Sequence, residues 1–104
     1  MFLKFKHRKL LKEMNDITIE EKALKSYRFV VNGNKFEDDE LLQKKLKRNL
    51  VLGEKISNRC VRYGNLYIYF KDNNITSIYN VKGKQIPLNI NFKLKDELDS
   101  ILEI

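Results

Sequence analysis

The sequence predicts an α+β domain in which N-terminal helices are followed by an antiparallel sheet built on a β-hairpin and by a short C-terminal helix. Apolar residues recur at helical spacing up to residue 50, alternate with polar residues from residue 60, and return to helical spacing from residue 94. The 104 residues, 42% of them hydrophobic, suffice for one domain with one core, spanning 1–104.

The N-terminus is predicted to start with a short extended segment and to continue as a helix. Apolar residues alternate with lysines over 3–6, which is typical of a strand with one apolar face. From about Arg8 to Met14 the apolar residues recur at helical spacing, and Asn15-Asp16 interrupts the pattern.

A second helix is predicted to begin at Thr18. Thr18 and Glu21 have the spacing of a capping box, in which each side chain satisfies a free backbone N–H of the first turn. The end of this helix stays open, because 27–31 favours a strand and Asn32-Gly33 favours a turn. Residues 27–37 are therefore either a hairpin or a helix end.

A third helix is predicted between a cap at Asp38 or Asp39 and a stop at Gly53. Its apolar face carries leucines four residues apart, Leu42, Leu46 and Leu50. The rest of its surface is basic, with no acidic residue between Glu40 and Glu54. These cations are Lys44, Lys45, Lys47 and Arg48.

The clearest pattern is a β-hairpin formed by 60–70 and 75–81 around a polar turn at 71–74. One face is predicted to carry Leu66, Ile68, Phe70, Ile75, Tyr79 and Val81. The other is predicted to carry Tyr67, Tyr69, Thr76 and Ile78. Both faces are partly apolar, so we expect helices to cover one of them.

The C-terminal part is predicted to form an edge strand and then a helix. After a turn at Gly83, apolar residues alternate over 86–92, and Pro87 favours an edge position. The final helix carries Leu94, Leu98, Ile101 and Leu102 on one side. Its acidic residues are expected to face outward: Asp96, Glu97, Asp99 and Glu103.

The charge indicates a nucleic-acid partner. Lysine and arginine number 21 against 14 acidic residues, a net charge of +7. An AT-rich genome, as in a low-GC bacterium or its phages and plasmids, raises the lysine content by itself, but it does not explain why the cations cluster. The predicted nucleic-acid contacts are Arg8, Lys9, Lys12, Lys44, Lys45, Lys47, Arg48, Lys55, Arg59, Tyr63 and Ser77.

Several classes of site are not expected. The sequence has one cysteine, Cys60, and one histidine, His7, so neither an intramolecular disulfide nor a structural metal site is expected. No motif predicts a cofactor. No apolar stretch is long enough for a signal sequence or a membrane span. We therefore expect a cytoplasmic protein without a membrane partner.

The remaining chemistry is that of a metal-independent ribonuclease. Such an enzyme removes the proton of a 2′-hydroxyl, and lysine or arginine stabilises the charge at the attacked phosphate. His7 is the candidate base or acid, since it alone titrates near neutrality. The predicted catalytic set is completed by Lys4, Lys6, Arg62, Thr76 and Tyr79.

Two motifs resemble known ribonucleases. Arg62-Tyr-Gly-Asn-Leu-Tyr-Ile-Tyr-Phe with Asn74-Ile-Thr-Ser-Ile-Tyr-Asn resembles the hairpin of RelE-like domains, in the barnase–EndoU–colicin–RelE group. Lys4-Phe-Lys-His is similar to an element of colicin D-like toxins that cleave tRNA. The resemblance implies an RNA substrate, a toxin-like ribonuclease and, as an open question, a neutralising protein partner.

This chain departs from that pattern at two positions. Some relatives carry arginine four and eight residues after the histidine, where this sequence has Leu11 and Asn15. A phosphate-stabilising role would then pass to other cations, namely Lys4, Lys6, Arg48 or Arg62.

Two alternatives remain. Three helices followed by a hairpin is also the order of a winged-helix DNA-binding protein, with 39–52 as the groove helix and 60–81 as the wing. A small adaptor or inhibitor could instead use Tyr67, Tyr69 and Ile78 as its contact surface. His7 separates the hypotheses, because catalysis requires it and groove binding does not.

Overall fold

The computed structural model describes residues 2–104, with side chains from Lys4 onward. It confirms the α+β class. The elements are α1 (Phe2–Lys6), α2 (Arg8–Asn15), β1 (Thr18–Ile19), α3 (Glu21–Val30), a 3₁₀ turn (Asn32–Asn34), α4 (Asp39–Leu52), β2 (Glu54–Ser57), β3 (Cys60–Tyr63), β4 (Leu66–Lys71), β5 (Asn74–Asn80) and α5 (Phe92–Leu102). None of these helices is both long and apolar enough to cross a membrane.

The sheet has five strands in the order β1-β5-β4-β3-β2 and is mixed rather than wholly antiparallel. β1 pairs in parallel with β5, through Thr18 opposite Asn74 and Ile19 opposite Ile75. The other neighbours are antiparallel. The prediction missed β1 because two residues carry no detectable alternation, and it missed β2 because its side chains are largely exposed.

The capping box at Thr18 is wrong. Thr18 lies in β1, where its hydroxyl donates to Asn74 Oδ1 at 2.9 Å. Helix α3 is preceded instead by Glu20, whose backbone is extended and whose side chain makes no capping bond. Pairing with β5 holds the backbone here, since Glu20 N donates to Ile75 O at 3.0 Å.

The extended segment predicted at 3–6 is also wrong, because these residues lie in α1. Helix α2 follows after a break at His7, whose carbonyl accepts from Leu11 N at 2.8 Å. An alternation over only four residues fits a helical turn as well as a strand. In the described sheet, no strand pairs with this segment.

Residues 27–37 form a helix end. Helix α3 continues through Val30, and the 3₁₀ turn follows. The buried Asn34 side chain donates to Tyr27 O at 3.1 Å, which satisfies a carbonyl at the end of the helix. Arg28 donates to the carbonyls of Asn34, Lys35 and Glu37, so the connection to α4 is held in place.

The third helix is confirmed as α4. Asp38 caps it by accepting from Leu41 N at 2.7 Å, and Gly53 follows its last residue. Leu42 and Leu46 are fully buried. Helix α4 packs against α2, α3, α5 and β3, so it is the central helix of its layer.

The hairpin has one more turn than predicted. The glycine at 64, with φ of 60°, and Asn65 separate β3 from β4. A bulge in β5 places Tyr69 opposite Ser77 but Phe70 opposite Ile75, so Thr76 is the extra residue. The bulge exchanges the predicted faces of the next residues: Ile78 points to the core with Ile68, and Tyr79 points outward with Tyr67.

The helices cover one face of the sheet. The main core joins α3 and α4 to this inner face through Ala23, Tyr27, Leu42, Leu46, Leu66, Ile68, Ile75 and Ile78. The outer face carries Tyr67, Tyr69 and Tyr79, of which Tyr79 is 59% exposed. A second cluster packs α2, α4 and α5 together through Met14, Leu52 and Leu98.

The edge strand predicted at 86–92 is absent from the described sheet. The backbone at 81–91 is instead held by Asn65, whose amide donates to Val81 O at 2.7 Å and Lys84 O at 2.6 Å and accepts from Ile86 N at 2.9 Å. Alternate residues are half-buried, which explains the strand-like pattern. Helix α5 is confirmed and is capped by Asn91, which accepts from Leu94 N.

Candidate nucleic-acid interface

A groove lies where α2, α4 and α5 meet. It is lined by Leu11, Met14, Asn15, Lys44, Lys47 and Leu102. Helix α2 packs against the second apolar cluster through Leu10, Leu11 and Met14. The adjoining side of α2 is exposed to solvent. Arg8, Leu11, Lys12 and Asn15 follow one another at helical spacing on that side. The cations that line the groove, Lys44 and Lys47, therefore both come from α4, and Arg8 and Lys12 lie on α2 outside its lining.

The cations of this surface have no acidic partner. Within the described side chains 4–104, no ion pair is formed by Arg8, Lys9, Lys12, Lys44, Lys45 or Lys47. Elsewhere in the same residues Arg28, Arg48 and Arg62 each pair with a carboxylate. Unpaired cations gathered on two adjacent helices produce a positive potential that can hold phosphate groups.

His7 lies beside this groove and contacts α5. Its Nε2 is 3.3 Å from Glu97 Oε2, and its side chain is only 12% exposed. An ionised Glu97 can only accept, so Nε2 then donates to it, and Nδ1 has no hydrogen-bond partner among the described side chains. The hydrogen bond from His7 holds the pKa of Glu97 below its ordinary value, and Lys6, at 3.4 Å, acts in the same direction.

His7 lies at the start of α2, on the side of this helix that lines the groove. Residues 7, 11 and 15 are four apart, so His7, Leu11 and Asn15 share one side of the helix. Leu11 and Asn15 occupy the positions where arginine was expected, and the cations that face them are Lys44 and Lys47. Positive charge at this place comes from α4, across the groove.

Three members of the predicted catalytic set lie on the sheet, namely Arg62, Thr76 and Tyr79. Arg62 Nη2 donates to Glu54 Oε2 at 3.2 Å. A hydrogen bond with the Tyr67 side chain has the larger effect in raising the pKa of Arg62, and the charge of Glu54 adds to it. Thr76 donates to Tyr69 O at 3.3 Å. In the described part of the chain no hydrogen bond joins any of these residues to His7. Lys4 and Lys6 are on α1 beside His7, so the six residues divide between two places.

Tyr79 and its neighbours form a separate aromatic surface. The rings of Tyr69 and Tyr79 meet edge to face with centroids 5.6 Å apart. Ser77 lies opposite Tyr69 in the sheet and is half-buried. The contact surface expected from Tyr67, Tyr69 and Ile78 is wrong in its last member, because Ile78 is in the core.

Arg48 and Tyr63 are less accessible than the exposed members of the predicted nucleic-acid contacts, because Arg48 is buried and Tyr63 is half-buried. Arg48 is buried, and its guanidinium donates to Asp99 Oδ1 at 2.8 Å and to Asn49 Oδ1. Each of its three nitrogens donates within the protein, so the guanidinium is held away from the basic surface. Tyr63 packs against both apolar clusters on the inner side of β3. Lys55 and Arg59 are exposed at the β2 edge of the sheet.

The sequence did not reveal the partners of His7 and Arg48. Glu97 and Asp99 were expected to face outward, but both turn toward the helices that precede them in the chain. His7 and Glu97 are 90 positions apart. No local spacing can signal such a pair, since it depends on how α5 packs against α1 and α4.

One protein family matches the part of the chain that contains the whole sheet, α3, α4 and the first part of α5. The YorE family model matches residues 17–98, more than three quarters of the 104-residue chain. The match includes α4 with Lys44 and Lys47, whereas His7 and helix α2 precede it. No curated protein and no solved structure matches the chain. On the extent of the family match, the chain belongs to the YorE family.

Proposed function

We propose that this protein binds nucleic acid, and single-stranded RNA in particular, in the groove between α2 and α4. The observation that carries the proposal is that Lys44 and Lys47 line this groove without an ion-pair partner among the described side chains, and that Arg8 and Lys12 add positive charge on the neighbouring helix α2. Each phosphate bound there releases counterions, so affinity comes from these cations and depends strongly on salt.

The groove favours a flexible strand over a duplex. A helix that enters the major groove of DNA must project one face free of its own protein. Helix α4 is packed by α2, α3, α5 and β3, and Leu42, Leu46 and Leu52 are buried on it. Binding of duplex DNA in the manner of a winged-helix protein is therefore the less supported alternative.

The test measures binding of a fluorescent 20-nucleotide RNA by anisotropy over a series of salt concentrations. For wild type we expect a steep salt dependence, and for Lys44→Gln/Lys47→Gln a slope smaller by about 1.4, from two lost phosphate contacts on a single strand. At 0.1 M salt this corresponds to an affinity about 25-fold lower.

A matched variant separates local contact from net charge. Lys22→Gln/Lys84→Gln removes the same charge from exposed lysines outside the groove and should bind RNA almost as wild type does. Equal losses in the two double variants would contradict the groove as the binding site. A duplex bound more tightly than RNA would reject the preference for a single strand.

RNA cleavage at His7 is a second candidate, and one observation favours it. His7 is held by Glu97 with its Nδ1 free, next to Lys6 and on the same side of α2 that borders the groove. A carboxylate that accepts from one ring nitrogen fixes the tautomer and makes the other nitrogen a better base. An RNA strand bound along the groove would bring its 2′-hydroxyl groups toward this nitrogen.

A further inference from the structure

Two phenyl rings project from the surface near the end of α3. Phe29 is 81% exposed and Phe36 is 91% exposed. Phe29 lies in the last turn of α3, and Phe36 lies in the connection between the 3₁₀ turn and α4. Rings this exposed contribute nothing to the core, and an exposed apolar cluster of this kind is typical of a binding surface.

Phe29 stands where three surface grooves meet. One is lined by Phe29, Val31, Lys35 and Phe36, and a second by Phe29, Val30, Leu66 and Lys82. Neither of these two contains an acidic residue. The third contains Glu21 and Asp39, each already paired with a cation of the same groove. The first two therefore combine apolar side chains with lysines that form no ion pair among the described side chains, and the Lys35 ammonium lies 5.4 Å from the centroid of the Phe36 ring.

The backbone that presents these rings is held by internal bonds. Arg28 donates to three carbonyls of the connection and to Asp39 Oδ1 at 2.6 Å. On the other side of Phe29, Asn80 Nδ2 donates to Val30 O at 2.7 Å. Because the loop is already ordered, a ligand binding there pays little conformational entropy.

Charge complementarity decides between the possible occupants. A second copy of this chain would bring together two molecules that each carry +7, with lysines at the contact. A nucleic acid would find two lysines here, Lys35 and Lys82, since Arg28 is already paired with Asp39, against the denser cations of α2 and α4. A protein segment with carboxylates flanking apolar side chains matches both the grooves and the lysines.

We propose that the surface formed by Phe29, Phe36, Lys35 and Lys82 docks an acidic, apolar segment of a partner protein. Apolar side chains of the segment occupy the grooves on either side of the Phe29 ring. Its carboxylates pair with Lys35 and Lys82. This surface is distinct from the α2–α4 groove, and the proposal does not depend on nucleic-acid binding.

The test selects peptides from a random twelve-residue display library on the immobilised wild-type protein. We expect enriched peptides that combine Asp or Glu with Leu, Ile or Phe. Synthetic copies should bind Phe29→Ser at least tenfold more weakly, and Lys35→Glu/Lys82→Glu should be weakened to a similar degree. Because all four side chains are at the surface, the variants should remain folded, which circular dichroism would verify.

The control is Phe92→Ser, which removes a ring that is also exposed but lies outside these grooves. It should bind the peptides as wild type does, and Phe29→Ser should still bind RNA. The proposal is overturned if no peptide is enriched, if the enriched peptides are basic, or if they bind Phe29→Ser and wild type equally. It is also overturned if RNA displaces the peptides from Phe29, or if sedimentation shows a dimer that Phe29→Ser dissolves.

Discussion

Arg48 and Asp99 form an ion pair that joins α4 to α5, with Arg48 Nη1 2.8 Å from Asp99 Oδ1. The other Asp99 oxygen accepts from Lys95 at 2.8 Å. Arg48 also donates to Asn49, whose amide donates to the Tyr27 hydroxyl at 3.1 Å. This network connects α3, α4 and α5, and burial raises the pKa of Tyr27, which keeps that hydroxyl protonated.

Replacing Arg48 should destabilise the protein. Arg48→Met leaves Asp99 partly buried with Lys95 as its only cationic partner, and it leaves Asn49 Oδ1 without its donor. Loss of one member of a buried ion pair costs about 3–5 kcal/mol. Urea unfolding measures it, with the exposed, unpaired Arg59→Met as a control expected within about 0.5 kcal/mol of wild type. Equal stabilities of the two variants would contradict the structural role of Arg48.

Asp99 should make stability depend on pH at the acid end. Burial alone raises its pKa, but hydrogen bonds from Lys95 and Arg48 outweigh burial and hold the pKa of Asp99 below its ordinary value. A carboxyl with a lowered folded-state pKa stabilises the protein at pH values above its unfolded-state pKa of about 3.9. This contribution disappears as the pH falls through the folded-state pKa.

The measurement compares the thermal midpoints of wild type and Asp99→Asn from pH 7 to pH 2. The difference should be constant above about pH 5 and should shrink below about pH 4. The control is Asp96→Asn, an exposed carboxyl on the same helix. A difference that stays unchanged down to pH 2 would show that Asp99 is not the group that titrates.

Replacement by alanine should lower the stability of the protein at Gly53 but not at Gly33, the two glycines that do not have a positive φ. At Gly53 a Cβ would lie 2.8 Å from Arg62 O and 3.0 Å from Asn49 O, and still closer to Val61 Cγ1. Helix α4 and strand β3 would have to separate, at a cost of roughly 1–3 kcal/mol. At Gly33 nothing lies within 4 Å. Thermal unfolding should show a lower midpoint for Gly53→Ala only, and a loss in Gly33→Ala as well would point to a cause other than crowding.

Asn65 should determine the order of the segment 81–91. Asn65→Ala removes three hydrogen bonds, to Val81 O, Lys84 O and Ile86 N, at a net cost of about 1–3 kcal/mol. Amide hydrogen exchange should accelerate in this segment while the β4–β5 pairing stays protected. Asn89→Ala, an exposed amide in the same segment, serves as the comparison and should leave exchange unchanged. Faster exchange throughout the sheet would mean that Asn65 supports the whole fold.

His7 should be essential if the protein cleaves RNA. Incubation of total RNA in EDTA with wild type should give fragments, and His7→Ala should cut at least about 100-fold more slowly, because it lacks the base. His7→Ala should retain RNA binding, since the groove lysines remain. Intact RNA with the wild-type protein would reject cleavage and leave the binding proposal standing.

Much of the fold was predictable from the sequence because its signals are local. The capped helix from Asp38 to Gly53, the strands around residues 66–80 and the final amphipathic helix all depend on residues a few positions apart. The clustering of Lys44, Lys45 and Lys47 without acids between them is local as well. These features needed only periodicity, capping chemistry and charge.

Tertiary structure decided the rest, because the relevant contacts join distant residues. The bulge at Thr76 exchanged the faces of Ile78 and Tyr79, and parallel pairing with β5 made Thr18 a strand residue. The packing of α5 turned Arg48 into a buried partner of Asp99 and gave His7 its carboxylate. The sequence by itself determined the element types and the basic character of the chain. Only the packing decided which cations stay free to bind a ligand, since a cation stays free only where no carboxylate is brought near it.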